Sequence, residues 1–254
     1  MAAAESVSTL SLTDHDTFGG QAEAADAAAR HGVRFVHGIE LSVKAPSGSM
    51  HLLGYFPGAE PQPLADALDE MKRRRADRAR IMVGKLNDLG VALRYEDVEA
   101  LADGPVGRPH VAEALVAGGF VADRQDAFDR YLADDRPAAV PHAGLTPVEA
   151  VETVVESGGA PVLAHPNSLA MPAGALGRFV SDLASAGLVG IEVFRPEHTD
   201  ADRSAFTSLA DRHGLVASGG SDFHRPSDSR LGDTGAPPLP DDTADRLLAR
   251  AGAA

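Results

Sequence analysis

The sequence contains no cysteine and no tryptophan, and aromatic residues make up only 5% of its 254 residues. The lack of cysteine excludes disulfide bonds and thiolate metal sites, and it agrees with a cytoplasmic location. Basic residues are also few, with 23 Lys and Arg against 37 Asp and Glu, which gives a formal net charge of −14. Such a chain is a poor candidate for tight, non-specific binding of nucleic acid over its whole surface.

Long hydrophobic runs are missing as well. No apolar stretch approaches a membrane span of about 20 residues, and the N-terminus lacks the basic and apolar regions of a signal peptide. We therefore expect no membrane partner. The length fits one large domain, or one domain with an insertion. With so few aromatic residues, its core must consist mainly of Ala, Val and Leu.

The sequence does contain a cluster of acidic and imidazole side chains after its first short strand. The segment Asp14-His15-Asp16 follows a strand-like run at 7–12 and precedes a helical pattern that begins at Thr17. Three such side chains at one turn are unfavourable unless a cation compensates them. His15 is therefore a candidate metal ligand. An alternative is that Asp16 or Thr17 simply caps the following helix.

The same layout of an apolar strand, an acid or histidine at its C-terminal end, and a helix recurs along the chain. It predicts an α/β fold with a parallel sheet or barrel, whose site lies at the C-terminal ends of the strands. The predicted site residues at such ends are His15, His165, His198, Asp222 and His224. Residues 61–140 interrupt the pattern with helical segments only. We therefore predict a small helical insertion at 61–140 in a barrel formed by 1–60 and 141–254.

Two pairs of side chains extend this candidate site. Glu40 and His51 lie on consecutive strands of a predicted hairpin, about 5 Å apart, so they can meet on one face. A cross-strand polar pair without metal is the alternative. Asp222 and His224 point the same way if the preceding strand continues through them, which suits a metal site. For His165, a purely structural hydrogen bond is the alternative role.

Five segments occur in the order and spacing of a known family, namely Thr13-Asp14-His15-Asp16, Gly38-Ile39-Glu40, His51-Leu52-Leu53-Gly54-Tyr55, Leu163-Ala164-His165-Pro166 and Gly219-Gly220-Ser221-Asp222-Phe223-His224. They resemble the PHP family, the polymerase and histidinol phosphatase superfamily of metal-dependent phosphoesterases. The resemblance implies a distorted (β/α)7 TIM-like barrel with up to three divalent ions, Mn, Fe or Zn. The metal ligands that it implies by position are His15, Glu40, His51, His165, Asp222 and His224.

The family pattern begins with a strand that carries His-x-His, followed by Ser-Asp-Gly and a helix, and this sequence has neither motif at that place. We therefore expect a barrel that lacks its first βα unit and binds fewer ions. Two explanations are open. Met1 is an internal codon mistaken for the start, or the loss is real and the chain is a non-catalytic, metal-poor binding module.

The insertion resembles that of one PHP subgroup, the nucleoside 3′,5′-bisphosphate phosphatases and related 5′-to-3′ exoribonucleases. The similar segments are Gly107-Arg108-Pro109-His110-Val111-Ala112 and Ala127-Phe128-Asp129-Arg130-Tyr131-Leu132. Arg75 and Arg78 share a helix face in the basic cluster at 72–80, and Arg108 lies at a predicted helix start. Guanidinium groups suit phosphate, so these three arginines are predicted phosphate ligands. A solvated helix face is the alternative for the cluster.

The resemblance implies hydrolysis of phosphate monoesters of small nucleotides, such as 3′,5′-bisphosphates, or of RNA 5′ ends. Histidinol-phosphate phosphatase is the alternative within the family. Divalent ions would bind phosphate and acidify a water, and His198 or Asp222 would act in proton transfer. For His198, an ordinary polar contact before Thr199 is an equal alternative, and His142 is open to either kind of role. No protein partner is readable from the sequence.

Overall fold

The computed structural model describes residues 1–58, 61–102, 106–133, 135–140, 144–224, 231–235 and 237–252. The chain divides into two compact units, of which one comprises Met1–Asp66 with Leu145–Ala254 and the other Ala67–Gly144. We call the first the sheet unit and the second the helical unit. Among the helices in the described ranges, none has the length and apolar character needed to cross a bilayer.

Six strands form one curled, mixed sheet in sequential order, a half-barrel compatible with a TIM-like fold. The strands are β1 (Thr9–Leu12), β2 (Arg34–Val43), β3 (Met50–Phe56), β4 (Ala160–Leu163), β5 (Gly190–Phe194) and β6 (Val216–Gly219). Strand β3 runs antiparallel to both β2 and β4, whereas the other neighbours pair in parallel. The sheet is therefore not purely parallel, because the chain returns from β2 through a tight hairpin.

Helices follow most of the strands, and only helical elements lie between β3 and β4 in the described ranges. The helices are α1 (Gln21–Arg30), α2 (Gln62–Asp88), α3 (Tyr95–Glu99), α4 (Arg108–Ala117), α5 (Arg124–Ala127), α6 (Pro147–Glu156), α7 (Ala173–Ser185), α8 (Asp200–His213) and α9 (Thr243–Leu248). Thr146 and Thr199 begin α6 and α8 with capping boxes. Helix α1 begins later than predicted, and its N-cap is Gly20, so neither Asp16 nor Thr17 caps it.

The core of the sheet unit explains which side chains are left for a site. Ile39 and Leu41 are fully buried on β2, and Ile191 is fully buried on β5. Because side chains alternate along a strand, Glu40 and Glu192 point to the opposite face from these apolar neighbours. Both glutamates are nevertheless buried, so each needs a partner for its charge.

The helical unit has an apolar core of its own. That core is made mainly of Val, Leu, Ala and Met side chains from α2 to the π-helical turn Phe128–Leu132. Asn87 stabilises the end of α2 by exchanging two hydrogen bonds with the backbone of Leu93, at 3.0 and 3.1 Å. This unit supplies no strand among its described residues.

Candidate metal centre

The candidate site is centred on the carboxylate of Glu40 in the sheet unit. His51 Nδ1 lies 2.9 Å and His165 Nε2 lies 3.2 Å from Glu40 Oε1. His15 Nε2 lies 3.6 Å from the other oxygen, Oε2. The His51 and His165 rings also approach each other, with 3.0 Å between Nδ1 and Nε2. Three imidazoles therefore surround one buried carboxylate, and we call these four residues the Glu40 cluster.

Sheet topology brings the Glu40 cluster together. His15 follows β1, Glu40 lies within β2, and His165 follows β4. His51 lies near the start of β3, which runs antiparallel to β2 and β4. The start of β3 is therefore at the same edge of the sheet as the ends of its parallel neighbours. The predicted meeting of Glu40 and His51 across the hairpin occurs in this way.

The backbone after β1 is fastened to β2, which places His15 beside Glu40. The Asp16 N–H donates to Glu40 O at 3.0 Å, and the Glu40 N–H donates to Asp14 O at 3.3 Å. The buried Asp16 side chain accepts the Ser42 N–H at 2.9 Å, and its backbone has a left-handed φ of 53°. Asp16 therefore supports the turn that carries His15.

Glu40 and His165 shift each other's pKa. Burial raises the pKa of Glu40, but hydrogen bonds from His165 and His51 and the charge of His15 hold it well below its usual range. Burial lowers the pKa of His165, yet the hydrogen bond to Glu40 and the charge of Glu192 leave it above its ordinary value. The cluster thus favours an ionised Glu40 carboxylate with a positive charge beside it, and protonation of His165 supplies such a charge. A divalent cation satisfies the same requirement by replacing the protons.

The spacing of the donor atoms fits a divalent metal ion. His15, Glu40 and His51 offer ligand atoms that all lie within 4.8 Å of one another. Ligands of one ion lie about 3.0–3.4 Å apart when each is about 2.1 Å from it. The 2.9–3.2 Å contacts among Glu40, His51 and His165 approach this spacing. Imidazole and carboxylate ligands suit Mn, Fe and Zn alike.

Ser168 fixes the orientation of the His165 ring. His165 Nδ1 lies 2.8 Å from Ser168 Oγ, which is also 2.9 Å from the carbonyl oxygens of Ser49 and His165. The hydroxyl donates to a carbonyl oxygen, so it accepts a hydrogen bond from the Nδ1–H of His165. Nε2 is thereby left facing Glu40, to which it donates in this structure and where its lone pair would become available to a cation. Metal-binding histidines are commonly held by such an outer hydrogen bond.

Asp222 and His224 form a second part of the site. Strand β6 ends at Gly219, and Asp222 has a left-handed φ of 47°. The strand therefore does not continue through Asp222 and His224, which was the condition for their predicted common orientation. The turn itself brings the two side chains together, with 3.6 Å between His224 Nδ1 and Asp222 Oδ1. The His224 ring centroid lies 6.3 Å from that of His15, which places this part next to the Glu40 cluster.

A buried ion pair that the sequence reasoning missed lies behind these ligands. Glu192 Oε2 accepts the His165 N–H at 2.8 Å and lies 3.3 Å from an Arg195 Nη1. The other terminal nitrogen of Arg195 donates to Asp222 Oδ2 at 3.0 Å. Burial raises the pKa of Glu192, although Arg195 opposes the shift. A glutamate inside the apolar run Gly190–Phe194 was the signal that could have revealed the pair.

His198 is enclosed, with only 2% of its surface exposed. Its Nδ1 donates to Val193 O at 2.9 Å, and its ring packs edge-on against Phe206 with 5.1 Å between centroids. Burial lowers the pKa of His198, and the positive charge of Arg195 adds to this effect. The neutral ring is therefore favoured, with Nε2 as the nitrogen that carries the lone pair.

The three arginines predicted to bind phosphate all lie in the helical unit. Arg78 is buried, and its Nε and one Nη both donate to Val140 O, at 2.9 and 2.7 Å. Arg75 is half-buried on α2, and Arg108 is half-buried in the first turn of α4. Their neighbours Lys72, Arg73, Arg74 and Arg80 form ion pairs with acids of the same helix. His142 lies outside the described residues.

Comparisons with known proteins identify enzymes that the chain resembles. No protein-family model matches the chain. The chain is 40% identical to the 3′,5′-nucleoside bisphosphate phosphatase of Chromobacterium violaceum over 89% of its own length and 80% of that protein. It is 34% identical to a 5′-3′ exoribonuclease of Haemophilus influenzae, over 88% and 81% of the two chains.

Two solved structures resemble the whole chain. The first is an amidohydrolase from Chromobacterium violaceum with bound sulfate and no metal, with a TM-score of 0.72, 38% identity, and coverage of 98% and 88% of the two chains. The second, from Bifidobacterium adolescentis, is assigned as a metal-dependent phosphoesterase and has a TM-score of 0.69, 26% identity and the same coverage. The fold thus recurs in one protein described as an amidohydrolase and in another described as a metal-dependent phosphoesterase.

Proposed function

The chain belongs to the PHP family of metal-dependent phosphoesterases, and we propose that it hydrolyses phosphate esters of small nucleotides, with 3′,5′-bisphosphates or short RNA 5′ ends as substrates. The observation that carries the proposal is the convergence of His15, His51 and His165 on the carboxylate of Glu40. The names of its relatives support the nucleotide part of the proposal. A cytoplasmic location belongs to the same proposal, because nucleotides and RNA ends are found there.

We propose that divalent metal ions are held by the six predicted ligands, which are His15, Glu40, His51, His165, Asp222 and His224. Bound ions of this kind supply charge stabilisation for phosphate oxygens and an acidified water. Glu40 and the neighbouring imidazoles match that role because they already place one carboxylate and three imidazole nitrogens around one point. The identity of the metal, Mn, Fe or Zn, and the number of ions are to be measured.

The family barrel has seven strands, and we propose that the curled sheet of six described strands is its larger part, a distorted (β/α)7 barrel. In the family, ligands on the remaining strand of the barrel complete a site for as many as three ions. A metal count on the purified chain therefore bears directly on the alternative that this is a metal-poor binding module.

For proton transfer to the leaving group, we propose Asp222 ahead of His198. The Asp222 side chain is about one-third exposed and adjoins His224, so it can reach a bound phosphate ester. His198 is enclosed and favours its neutral form, which suits a supporting role better than that of an acid. Both residues stay candidates until variants of each have been compared at saturating substrate.

We propose that the helical unit contributes phosphate contacts through Arg75 and Arg108. Both are half-buried arginines, and guanidinium groups bind phosphate oxygens through two parallel hydrogen bonds. Arg78 is a weaker candidate, because two of its nitrogens bond to Val140 O.

The proposal is tested with a substrate panel in Mn²⁺, comprising adenosine 3′,5′-bisphosphate, a 5′-phosphorylated RNA trinucleotide and histidinol phosphate. We expect turnover of at least one of the first two and little of the third. Asp222→Asn and His165→Ala should lose about 100-fold or more, by analogy with lost ligand and outer contacts. The matched controls are Asp211→Asn and His31→Ala, at exposed positions.

Each failure of this test has a distinct meaning. Preference for histidinol phosphate would assign the chain to the alternative activity of the same family. A chain that binds no Mn²⁺, Fe²⁺ or Zn²⁺ and hydrolyses none of the three substrates would instead be the non-catalytic module. Full turnover by Asp222→Asn and His165→Ala would remove these residues from the site.

A further inference from the structure

We infer that Arg195 is a positioning residue of the metal centre, which together with Glu192 holds Asp222 and the backbone of His165 in the arrangement that a cation requires. The inference rests on the proposed metal-dependent function. It concerns two residues that contribute no ligand atom to the Glu40 cluster and that lie one layer behind it.

The contacts of this pair reach two separate parts of the site. Glu192 Oε2 accepts the backbone N–H of His165 at 2.8 Å, which ties β5 to the end of β4. One Arg195 nitrogen lies 3.3 Å from the same Glu192 oxygen, and the other donates to Asp222 Oδ2 at 3.0 Å. His165 and Asp222 are thus connected through two buried side chains, although they follow different strands.

Both residues held by the pair have unfavourable backbone conformations. His165 has a φ of 25° and Asp222 a φ of 47°, in the region that non-glycine residues seldom adopt. Such conformations are unfavourable and persist only where the surrounding structure enforces them. Glu192 binds the amide of His165 itself, and Arg195 binds the carboxylate of Asp222. The pair therefore acts at the two points where the site needs enforcement.

The shape of the sheet brings Arg195 to this position. Between Glu192 and Phe194 the pairing of β5 with β6 shifts, so that β5 carries one residue more than its partner. Bulges of this kind bend a strand and redirect the side chains that follow. Gly219 permits the close approach, because a Cβ there would overlap the carbonyl of Phe194. Arg195 follows directly and turns its guanidinium under Asp222.

An arginine suits this role better than a lysine. Its two terminal nitrogens are fixed in one plane, and Nη1 contacts Glu192 while Nη2 contacts Asp222 and, at 3.3 Å, Glu197. An ammonium is instead a single point charge. The Arg195 side chain is only 8% exposed, so the contacts with these carboxylates are little screened by solvent. Asp222 keeps its second oxygen, Oδ1, on the side of His224. The fork thus orients a carboxylate and leaves one of its oxygens for a cation.

The charge of Arg195 also repels a cation, so the test must separate orientation from charge. Arg195→Lys keeps the positive charge and removes the planar guanidinium with its two terminal nitrogens. Glu192→Gln keeps the shape and removes the charge that orients Arg195. The matched control is Arg34→Lys, which alters an exposed ion pair with Asp245 at 2.7 Å. Mn²⁺ affinity is measured by calorimetry on the full chain, the metal is counted by mass spectrometry, and the melting temperature is recorded without metal.

We expect Arg195→Lys to bind Mn²⁺ about 10-fold or more weakly, as is usual when an outer partner of a metal ligand is lost. Glu192→Gln should change affinity in the same direction, and Arg34→Lys should match the wild type. Affinity within twofold of the wild type in Arg195→Lys, even with a lower melting temperature, would show that the pair supports only the fold and would overturn the inference.

Glu192→Gln keeps the inference testable when Arg195→Lys folds poorly. If Arg195→Lys does not fold, unchanged Mn²⁺ affinity in Glu192→Gln overturns the inference, and weakened affinity supports it. The proposed function fails in a different way, namely by a wild-type chain that binds no divalent metal at all. A wild type that binds Mn²⁺ and an Arg195→Lys variant that binds it equally well would leave the function intact and remove the role of Arg195.

Discussion

Ser168 Oγ lies 2.8 Å from His165 Nδ1, on the side of the imidazole away from Glu40. The same hydroxyl lies 2.9 Å from the carbonyl oxygen of Ser49, which precedes β3. One small side chain therefore sets the tautomer of a predicted metal ligand and joins the turn after β4 to the β2–β3 hairpin.

Ser168→Ala should weaken Mn²⁺ binding by about 10-fold, because the His165 ring loses the partner that directs its Nε2 lone pair. Calorimetric titration with Mn²⁺ measures the change. The control is Ser208→Ala, which removes a hydroxyl bonded to the Ser204 carbonyl at 2.9 Å within α8. Equal affinities in the two variants would mean that Ser168 does not orient His165.

Gly38→Ala should destabilise the sheet unit beside His15. A Cβ on Gly38 would overlap Ser11 Oγ and lie 2.8 Å from Thr13 Cγ2, within the strand and turn that precede His15. We expect a loss of about 1–3 kcal/mol in the free energy of unfolding, measured in urea, with weaker Mn²⁺ binding. Gly84→Ala on α2 meets nothing within 4 Å and should instead stabilise by about 0.5–1 kcal/mol.

Stability should depend on pH through His198. Its pKa is lowered in the folded protein by burial, whereas in the unfolded chain it returns to about 6.5. Below that pH the unfolded state binds more protons, so this contribution to stability is complete above about pH 6.5 and is lost as the pH falls toward the folded-state pKa. The difference in unfolding free energy between wild type and His198→Phe should therefore shrink from pH 7 to pH 5. A constant difference would contradict this.

Arg75 and Arg78 should differ in what their loss changes. Arg78→Met removes both hydrogen bonds to Val140 O and should lower the free energy of unfolding by about 1.5–3 kcal/mol. Arg75→Met should raise KM for a nucleotide bisphosphate while kcat changes little, if Arg75 binds phosphate in the ground state. An unchanged KM in Arg75→Met would leave it on a solvated helix face.

Much of the fold could be predicted because the local signals agree with the tertiary structure. The turn between β2 and β3 and the strand patterns around it predicted a hairpin, and the register Leu41↔Leu52 confirms it. The start of α1 was placed too early, because the Gly19-Gly20 pair delays the helix until Gln21. The antiparallel pairing of β3 with β4 could not be read, since more than 100 residues separate Leu52 from Leu163.

Candidate ligands could be predicted where a histidine or an acidic residue lies at the end of a strand. They could not be predicted where their positions depend on the conformation of a turn. His15, Glu40, His51 and His165 meet as expected from their places on neighbouring strands. Asp222 approaches its neighbours through a left-handed turn, for which residue alternation gives no signal. Arg195 escaped notice because its partners, Glu192 and Asp222, are evident only after the strands are aligned.

The pairing of His51 with His165 has a consequence for how the chain folds. These residues are 114 positions apart, so the metal centre closes only after a long segment has been brought together, at an entropic cost that grows with loop length. The helical unit within that segment relies on local contacts, which form fast. We expect helical ellipticity to recover before Mn²⁺-binding competence in stopped-flow refolding. A cation would then act late, by trapping the closed sheet rather than by nucleating it.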